Sequence, residues 1–383
     1  MDLVADMTLT ALARYPEKVD AVRIRPAMNR RFSAVSKHRH AWNADRFLNR
    51  FLDYPQYLAG LDAPFDLYHV MDHSYAQLVH ALPPERTVVS CYDANAFACL
   101  FRPGKSFVHR AMATRTLEGL RKAAKVVCCS NATRDELVDR GLADASRLEV
   151  VHLGVDPDWT PQPHREADDE AARLLPGAEP RILHVGSTIP RKRIDLLLRI
   201  FAGLRETFPS LRLARVGGAF TAEQEELAAN LGVRDAVDVL PRIERATLAA
   251  VYRRCALLLQ PSEYEGFGLP VVEAMACGLP VIASDLSVLH EVGGAAASYC
   301  SLEDIGAWRQ TAGELLRQRS DDRTAWASRK EVAIRHAEQF SWDSYAERVL
   351  TIYGEILEEE KSKCECCTLA STIRRTVEES RAI

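Results

Sequence analysis

The chain has 383 residues, 47% of them hydrophobic and 27% charged, and its 49 Lys and Arg against 53 Asp and Glu leave a net charge of −4. That balance excludes a disordered or fibrous chain and a protein-wide nucleic-acid-binding charge, and at about 100–200 residues per domain the length predicts two domains. No apolar run reaches the ~18 residues of a membrane span, and the opening Met1-Asp-Leu-Val-Ala-Asp6 lacks the basic and apolar blocks of a signal peptide, so a cytoplasmic protein is expected.

Leu3, Met7, Leu9 and Leu12 recur at near-helical spacing, so the chain opens on a helix. Residues 21–50 carry Arg23, Arg25, Arg30, Arg31, Lys37, Arg39, Arg46 and Arg50 against one acid, Asp45. Two readings fit this stretch equally: a basic face for an anionic acceptor or anionic membrane, and a solvated mobile loop. Its few aromatics argue against single-stranded nucleic acid. Residues 65–70, 87–91, 125–130 and 148–152 read as strands running into polar turns, with helical spacing over 111–124 and 132–140. They predict an N-terminal α/β domain over 1–165. His69, His73 and His80 raise the question of a metal. His69 closes a strand and His73 lies in the next turn, which disfavours ligand geometry. No metal is expected.

Pro157, Pro161, Pro163, Pro176 and Pro180 punctuate a polar join. Beyond it, strands at 182–185, 211–216, 237–240, 256–260 and 280–284 alternate with helices at 194–207, 222–231, 245–254 and 270–276. Short strands alternating with helices of about ten residues mean βαβ units on a parallel sheet. A doubly wound C-terminal domain is therefore predicted over 166–340. A helix comes next over 341–359, and residues 360–383 are expected to be a poorly ordered tail. Seven cysteines are scattered at apolar positions and read as buried free thiols. Cys364, Cys366 and Cys367 cluster in the tail without a second ligand pair at zinc spacing.

The most informative segment is Pro261-Ser-Glu-Tyr-Glu-Gly-Phe-Gly-Leu-Pro270, continuing Val-Val-Glu-Ala-Met-Ala-Cys-Gly278. A strand feeds a glycine loop, Gly266-Phe267-Gly268, and Pro270 stands where a first helical residue belongs. Gly278 ends the helix. Such a strand–loop–helix start presents free N–H groups and the positive end of a dipole, an anion site. Glu265 in the loop and Glu273 in the first helical turn flank it. The arrangement suits a diphosphate on the loop, a sugar towards Glu265 and a ribose towards Glu273. A second strand–turn–helix, Val185-Gly-Ser-Thr-Ile-Pro-Arg191-Lys192-Arg193, adds cations that can neutralise leaving phosphates.

Glu265 and Glu273 with Gly-Phe-Gly-Leu-Pro between them resemble the Glu-x7-Glu motif of the retaining glycosyltransferases of family 4, with the GT-B fold. The Pro190-Arg-Lys turn, Gly217-Gly218, and Val281 to Gly294 occur in the family's order. So do Ser130-Asn-Ala-Thr-Arg-Asp-Glu-Leu137 and Val151-His-Leu-Gly-Val-Asp156. The resemblance implies two Rossmann-like domains facing across a cleft, the donor in the C-terminal one and the acceptor in the N-terminal one. The helix at 341–359 would cross back to the N-terminal domain. It implies Glu273 on the ribose, Glu265 with the 267–269 backbone (Phe267, Gly268, Leu269) on the donor sugar, and Arg191 and Lys192 on the diphosphate near Gly186. No metal cofactor is implied. The donor would be a nucleoside diphosphate hexose such as GDP-mannose or UDP-glucose, and the acceptor a glycan or lipid-linked molecule, with peripheral contact to an anionic membrane.

Three positions depart from that pattern. The family's usual His-Asp is here Tyr92-Asp93, leaving Tyr92, Asp93 and His73 as candidates for contacting sugar or acceptor. The Arg that often comes after the glycine matching Gly186 is Ser187. The family's opening strand and glycine loop have no counterpart before Asp2, so the first strand of the N-terminal domain is expected to be missing, a shortfall of roughly 15–30 residues. Two alternatives share the fold: a catalytically impaired nucleotide-sugar-binding or scaffold protein, and a sugar-nucleotide epimerase. A dehydrogenase is disfavoured, because no Gly-x-Gly-x-x-Gly with an acid downstream is present.

Overall fold

A computed structural model describes residues 2–61, 65–101 and 107–379, with side chains of the terminal helix as far as Ser362. The Cys364/Cys366/Cys367 cluster and residues 380–383 lie outside what is described. The chain forms two compact units, Met1–His152 with Asp343–Ile383, and Leu153–Trp342.

The first unit carries four parallel strands, β1 (Tyr68–Val70), β2 (Thr87–Cys91), β3 (Lys125–Cys128) and β4 (Leu148–Val150), ordered β1-β2-β3-β4. The chain enters this unit as the helix Asp2–Leu12, and the described residues before Tyr68 form no strand. β2 is buried along its whole length. Helix Phe107–Lys122 packs its Leu117 and Leu120 against β2 and β3, beside Val89 and Val126. The terminal helix, Trp342–Glu379, buries Tyr345, Val349, Ile352 and Ile356. Tyr353 meets His69 Nδ1 at 2.6 Å and Arg348 pairs with Glu149 at 2.7 Å. The helix extends past 359, where a tail was expected, because residues 358–379 contain neither Gly nor Pro to stop it.

The basic stretch is held in place rather than left as a mobile loop. Asp45, fully buried on helix Arg39–Leu48, accepts the backbone N–H groups of Arg31, Phe32 and Ser33 and the Ser33 hydroxyl. Burial raises its pKa, but these donors outweigh burial and hold it at about 2. Asn49 exchanges two hydrogen bonds with the Asn29 backbone, and Arg31 pairs doubly with Asp53 at 2.6 and 2.7 Å. The one acid in the stretch is thus its anchor.

The second unit holds six parallel strands: β5 (Arg181–Val185), β6 (Arg212–Val216), β7 (Val237–Leu240), β8 (Leu257–Gln260), β9 (Val281–Ser284) and β10 (Ala297–Cys300). Their order is β10-β9-β8-β5-β6-β7. Central strands covered on both faces must be apolar throughout, and β8, Leu-Leu-Leu-Gln, is buried at every position. Helix Ile194–Thr207 turns Ile194, Leu197, Leu198, Phe201 and Leu204 onto the sheet at i, i+3, i+4 spacing. The boundary between units falls at His152/Leu153, earlier than 165/166. Gly154 backs directly onto the Trp342 backbone, Val155 bridges Ser341, and Asp156 pairs with Arg245 at 2.5 Å, so the segment beginning at Leu153 is tied to the second unit.

Candidate active site

The order of the second sheet decides where its site lies. From β5 the chain runs outward through β6 and β7, then returns to β8 on the other side of β5. Connections leaving the carboxyl ends of β5 and β8 diverge and open a crevice there, the usual ligand site of a doubly wound sheet. Both sequence motifs sit at those two ends.

After β5, Gly186 begins a turn that ends in the single 3₁₀ turn Pro190–Lys192. Arg193 comes next at φ 48°, the one non-glycine residue with positive φ among the described residues, and helix Ile194–Thr207 starts at once. After β8, the loop runs to Gly268 at φ 98°, which caps helix Leu269–Ala276. Four interactions join the two connections. Lys192 Nζ donates to Glu265 Oε1 at 2.5 Å, and Arg191 Nη1 lies 3.6 Å from Glu265 Oε2. Arg191 also donates to the Tyr264 carbonyl at 2.8 Å, and its own carbonyl accepts the Glu263 N–H at 2.7 Å. Gln260 Nε2 adds a second donor to Glu265 Oε1 at 2.7 Å. The Lys192 and Glu265 side chains are only 10% and 7% exposed, a desolvated pair backed by hydrogen bonds. A lysine, an arginine and a glycine loop converge on one crevice, which can stabilise an anionic leaving group.

Residues 166–321 match the family model described as Glycosyl transferases group 1, and residues 8–159 match that described as Glycosyltransferase Family 4. Both halves of the chain thus match glycosyltransferase family models. It is 34% identical over 251 residues to a D-inositol 3-phosphate glycosyltransferase of Mycobacteroides abscessus, covering 62% of this chain and 53% of the relative. A protein of the same name from Mycolicibacterium smegmatis is 34% identical over 254 residues, covering 63% and 55%. The chain thus spans about half the length of the curated relatives it matches. Among solved structures, it is similar to the lipopolysaccharide-biosynthesis glycosyltransferase WaaG (TM-score 0.67, 18% identity, 91% of this chain and 95% of that one). It is also similar to Anabaena HepE in complex with UDP and glucose (0.68, 17%, 80% and 83%) and to sucrose-phosphate synthase of Thermosynechococcus elongatus (0.65, 23%, 80% and 77%). These likenesses establish the GT-B fold.

In this chain Gly186, Arg191, Lys192, Glu265 and the 266–269 loop come together at the β5/β8 crevice. The Phe267 ring is turned inward onto Phe340, centroids 5.8 Å apart, so only its backbone faces the loop. Glu273 stands apart from Glu265. The helix begins at Leu269, which makes Glu273 its fifth residue rather than part of the first turn, and Oε2 accepts the Tyr252 hydroxyl at 2.9 Å. Burial pushes its pKa up to about 7, the Tyr252 bond opposing and Asp156 adding to the rise. Gly186 is set so that a Cβ would press on the His184 ring and touch the Lys192 side chain.

Of the remaining candidates, His73, Tyr92 and Asp93 are brought together in the first unit. His73 Nδ1 accepts the Tyr92 N–H at 3.3 Å, and its Nε2 lies 3.7 Å from Asp93. The Tyr92 hydroxyl is buried without a hydrogen-bond partner, and burial pushes its pKa well above 10. Its ring lies edge-on to His73, centroids 6.5 Å apart. His69 is bonded to Tyr353 and Ser90, a structural histidine. Among the described residues no three His, Cys, Asp or Glu side chains gather as a metal-ligand set, and no helix is long and apolar enough to cross a membrane.

Three residues escaped sequence reasoning: Gln260, Tyr252 and Arg215. Gln260 is the polar end of an otherwise apolar strand, and Arg215 is a charge inside a strand just before Gly217-Gly218. Both are signals of a buried polar task. Gly217, at φ 128°, packs so tightly that a Cβ would collide with the Gly186 carbonyl oxygen. Gly217→Ala is expected to cost roughly 3 kcal/mol or more in chemical denaturation, combining backbone strain with a clash that two turns must absorb.

Proposed function

We propose that this protein transfers a hexose, mannose or glucose, with retention of configuration from a nucleoside diphosphate sugar to a glycan or lipid-linked acceptor. The observation that carries the reading is the Lys192–Glu265–Gln260 cluster, with Arg191, at the carboxyl ends of β5 and β8. In the reaction the donor's anomeric C–O bond to the diphosphate breaks and a bond to the acceptor oxygen forms on the same face. The departing phosphate oxygen takes the acceptor's proton. Arg191, Lys192 and the 266–269 backbone stabilise the growing diphosphate charge, so the chain's own cations do the work elsewhere given to a divalent ion. Glu265 holds the donor sugar, and Glu273 accepts hydrogen bonds from ribose hydroxyls. HepE's complexes with UDP and UDP-glucose support a nucleotide-sugar donor in this fold.

The partner expected beside the acceptor is an anionic membrane surface, met from the cytoplasm. Phe32, Val35, Trp42 and Phe47 are exposed together with Arg30, Lys37, Arg39 and Arg46 on the segment that Asp45 anchors, apolar and basic groups in one stretch.

Tyr92, a buried phenol where the family usually has a histidine, favours a second reading, a nucleotide-sugar binder without transfer. One assay separates the two. A panel of UDP- and GDP-sugars is incubated with acceptors and nucleoside diphosphate release is measured. Acceptor-dependent release, with Glu265→Ala slowing turnover at least ~10²-fold and changing donor affinity much less, supports transfer. Tight donor binding with no release under any acceptor supports the binder, and release without acceptor points to epimerisation.

A further inference from the structure

Arg215 is the one fully buried charged side chain among the described residues of the second unit, and it has no carboxylate partner among them. It lies on β6 directly opposite His184 of β5, and its guanidinium stacks over Phe220 at 5.2 Å. Nη1 donates to the Gly218 carbonyl, Nη2 donates to the Gly186 carbonyl at 3.0 Å, and Nε has no partner. Its neighbour His184 is equally buried, with neither ring nitrogen hydrogen-bonded. Burial, with Arg215 and Lys192 close by, keeps that imidazole neutral near pH 7.

An unpaired buried guanidinium beside an unsatisfied imidazole is costly, and buried charges are ordinarily paired. The crevice therefore gathers three cations, Arg191, Lys192 and Arg215, against the single carboxylate of Glu265. That imbalance suits a site meant to receive an anion. Arg215 itself is sealed, both of its terminal nitrogens being taken by carbonyls, so it acts through what it holds. In a planar trans peptide the C=O and the next N–H point in opposite directions. Holding the Gly186 carbonyl from the β6 side aims the Ser187 N–H away from Arg215. The Ser187 and Thr188 N–H groups have no partner within the described residues, and Ser187 is exposed.

We propose that Arg215 is a positioning residue for the donor diphosphate: by clamping the Gly186 and Gly218 carbonyls it fixes the 186–188 turn so that the Ser187 and Thr188 N–H groups bind a phosphate oxygen. Gly217 makes the clamp possible by letting the β6 turn close onto Gly186. The inference rests on the donor reading above and adds to it a residue that touches no ligand.

The test is calorimetric titration of the full chain with UDP, GDP, UMP and GMP. Arg215→Met is expected to weaken diphosphate binding about 10–50-fold and monophosphate binding less than about threefold, with guanidinium ion at about 10–50 mM restoring most of the loss in Arg215→Ala. Arg215→Lys, whose ammonium reaches one carbonyl at a time, is expected to lie between, and it serves where the Met or Ala variant does not fold. Unchanged diphosphate affinity in a folded Arg215→Met or Arg215→Lys variant overturns the proposal. Equal loss for mono- and diphosphates without guanidinium rescue does so as well. A wild-type chain that binds none of the four nucleotides is a different result, which removes the donor reading itself and this inference with it.

Discussion

Lys192→Met is expected to lower kcat/KM for the sugar donor by about 10³-fold, because in the proposed reaction it removes a desolvated cation from beside the charge that grows on the departing diphosphate. The same change strands Glu265, whose carboxylate is 7% exposed and keeps only Gln260 as a close donor, with Arg191 at 3.6 Å. Breaking a buried pair on one side costs about 3–5 kcal/mol. Stability and catalysis can be told apart with the double variant. Lys192→Met with Glu265→Gln removes both charges and leaves Gln260 facing an amide, so denaturation midpoints return most of the way while turnover stays lost. If the double variant recovered activity along with stability, Lys192 would be structural support and the leaving group would be stabilised elsewhere.

Glu273 gives the second large effect, and it depends on pH. Two charge-assisted hydrogen bonds to ribose hydroxyls at about 1.5 kcal/mol each make Glu273→Ala lose about 10²-fold in donor affinity. Only the ionised carboxylate accepts both bonds, and its pKa is raised to about 7. Donor KM is therefore expected to rise about tenfold between pH 8 and pH 6 in the wild type and to stay flat in Glu273→Gln. Stability moves the other way. The folded protein holds this proton more tightly than the unfolded chain, so the wild type is relatively stabilised at low pH and loses that advantage as pH rises through about 7. At pH 8 Glu273→Gln, which keeps the Tyr252 hydrogen bond, is expected to be more stable by on the order of 2 kcal/mol. A flat wild-type profile of donor KM against pH would falsify the ribose assignment.

Much of the second unit can be read along the chain because central strands of a parallel sheet are continuous apolar runs between turn residues. β5, β6, β7, β8 and β9 each fall within a residue of the predicted positions. β10, Ala-Ser-Tyr-Cys, is not visible that way: it is an edge strand, half exposed, with small and polar residues. Arg191, Lys192 and Glu265 announce themselves by spacing beside Pro and Gly. Arg215 and Gln260 do not, since their meaning comes from which strand stands next to which. Asp45 is a similar case: one acid among eight basic residues looks incidental until it is seen accepting four hydrogen-bond donors. That Tyr92, His73 and Asp93 meet in one place is likewise a matter of packing, not of spacing along the chain.

The first unit is made from two pieces of chain, with all of Leu153–Trp342 lying between them in sequence. On the ribosome that ordering becomes a timetable. The inserted unit is contiguous and can close as soon as Trp342 has emerged. The outer unit's first piece must wait, with the surface that will receive Tyr345, Val349, Ile352 and Ile356 uncovered, for the about 10–40 s that synthesis of the intervening Leu153–Trp342 takes at the usual elongation rates. During that interval its exposed apolar surface is open to chaperones and to self-association. The helix that begins at Trp342 therefore closes the first unit, and that unit matures only after the one inserted in it.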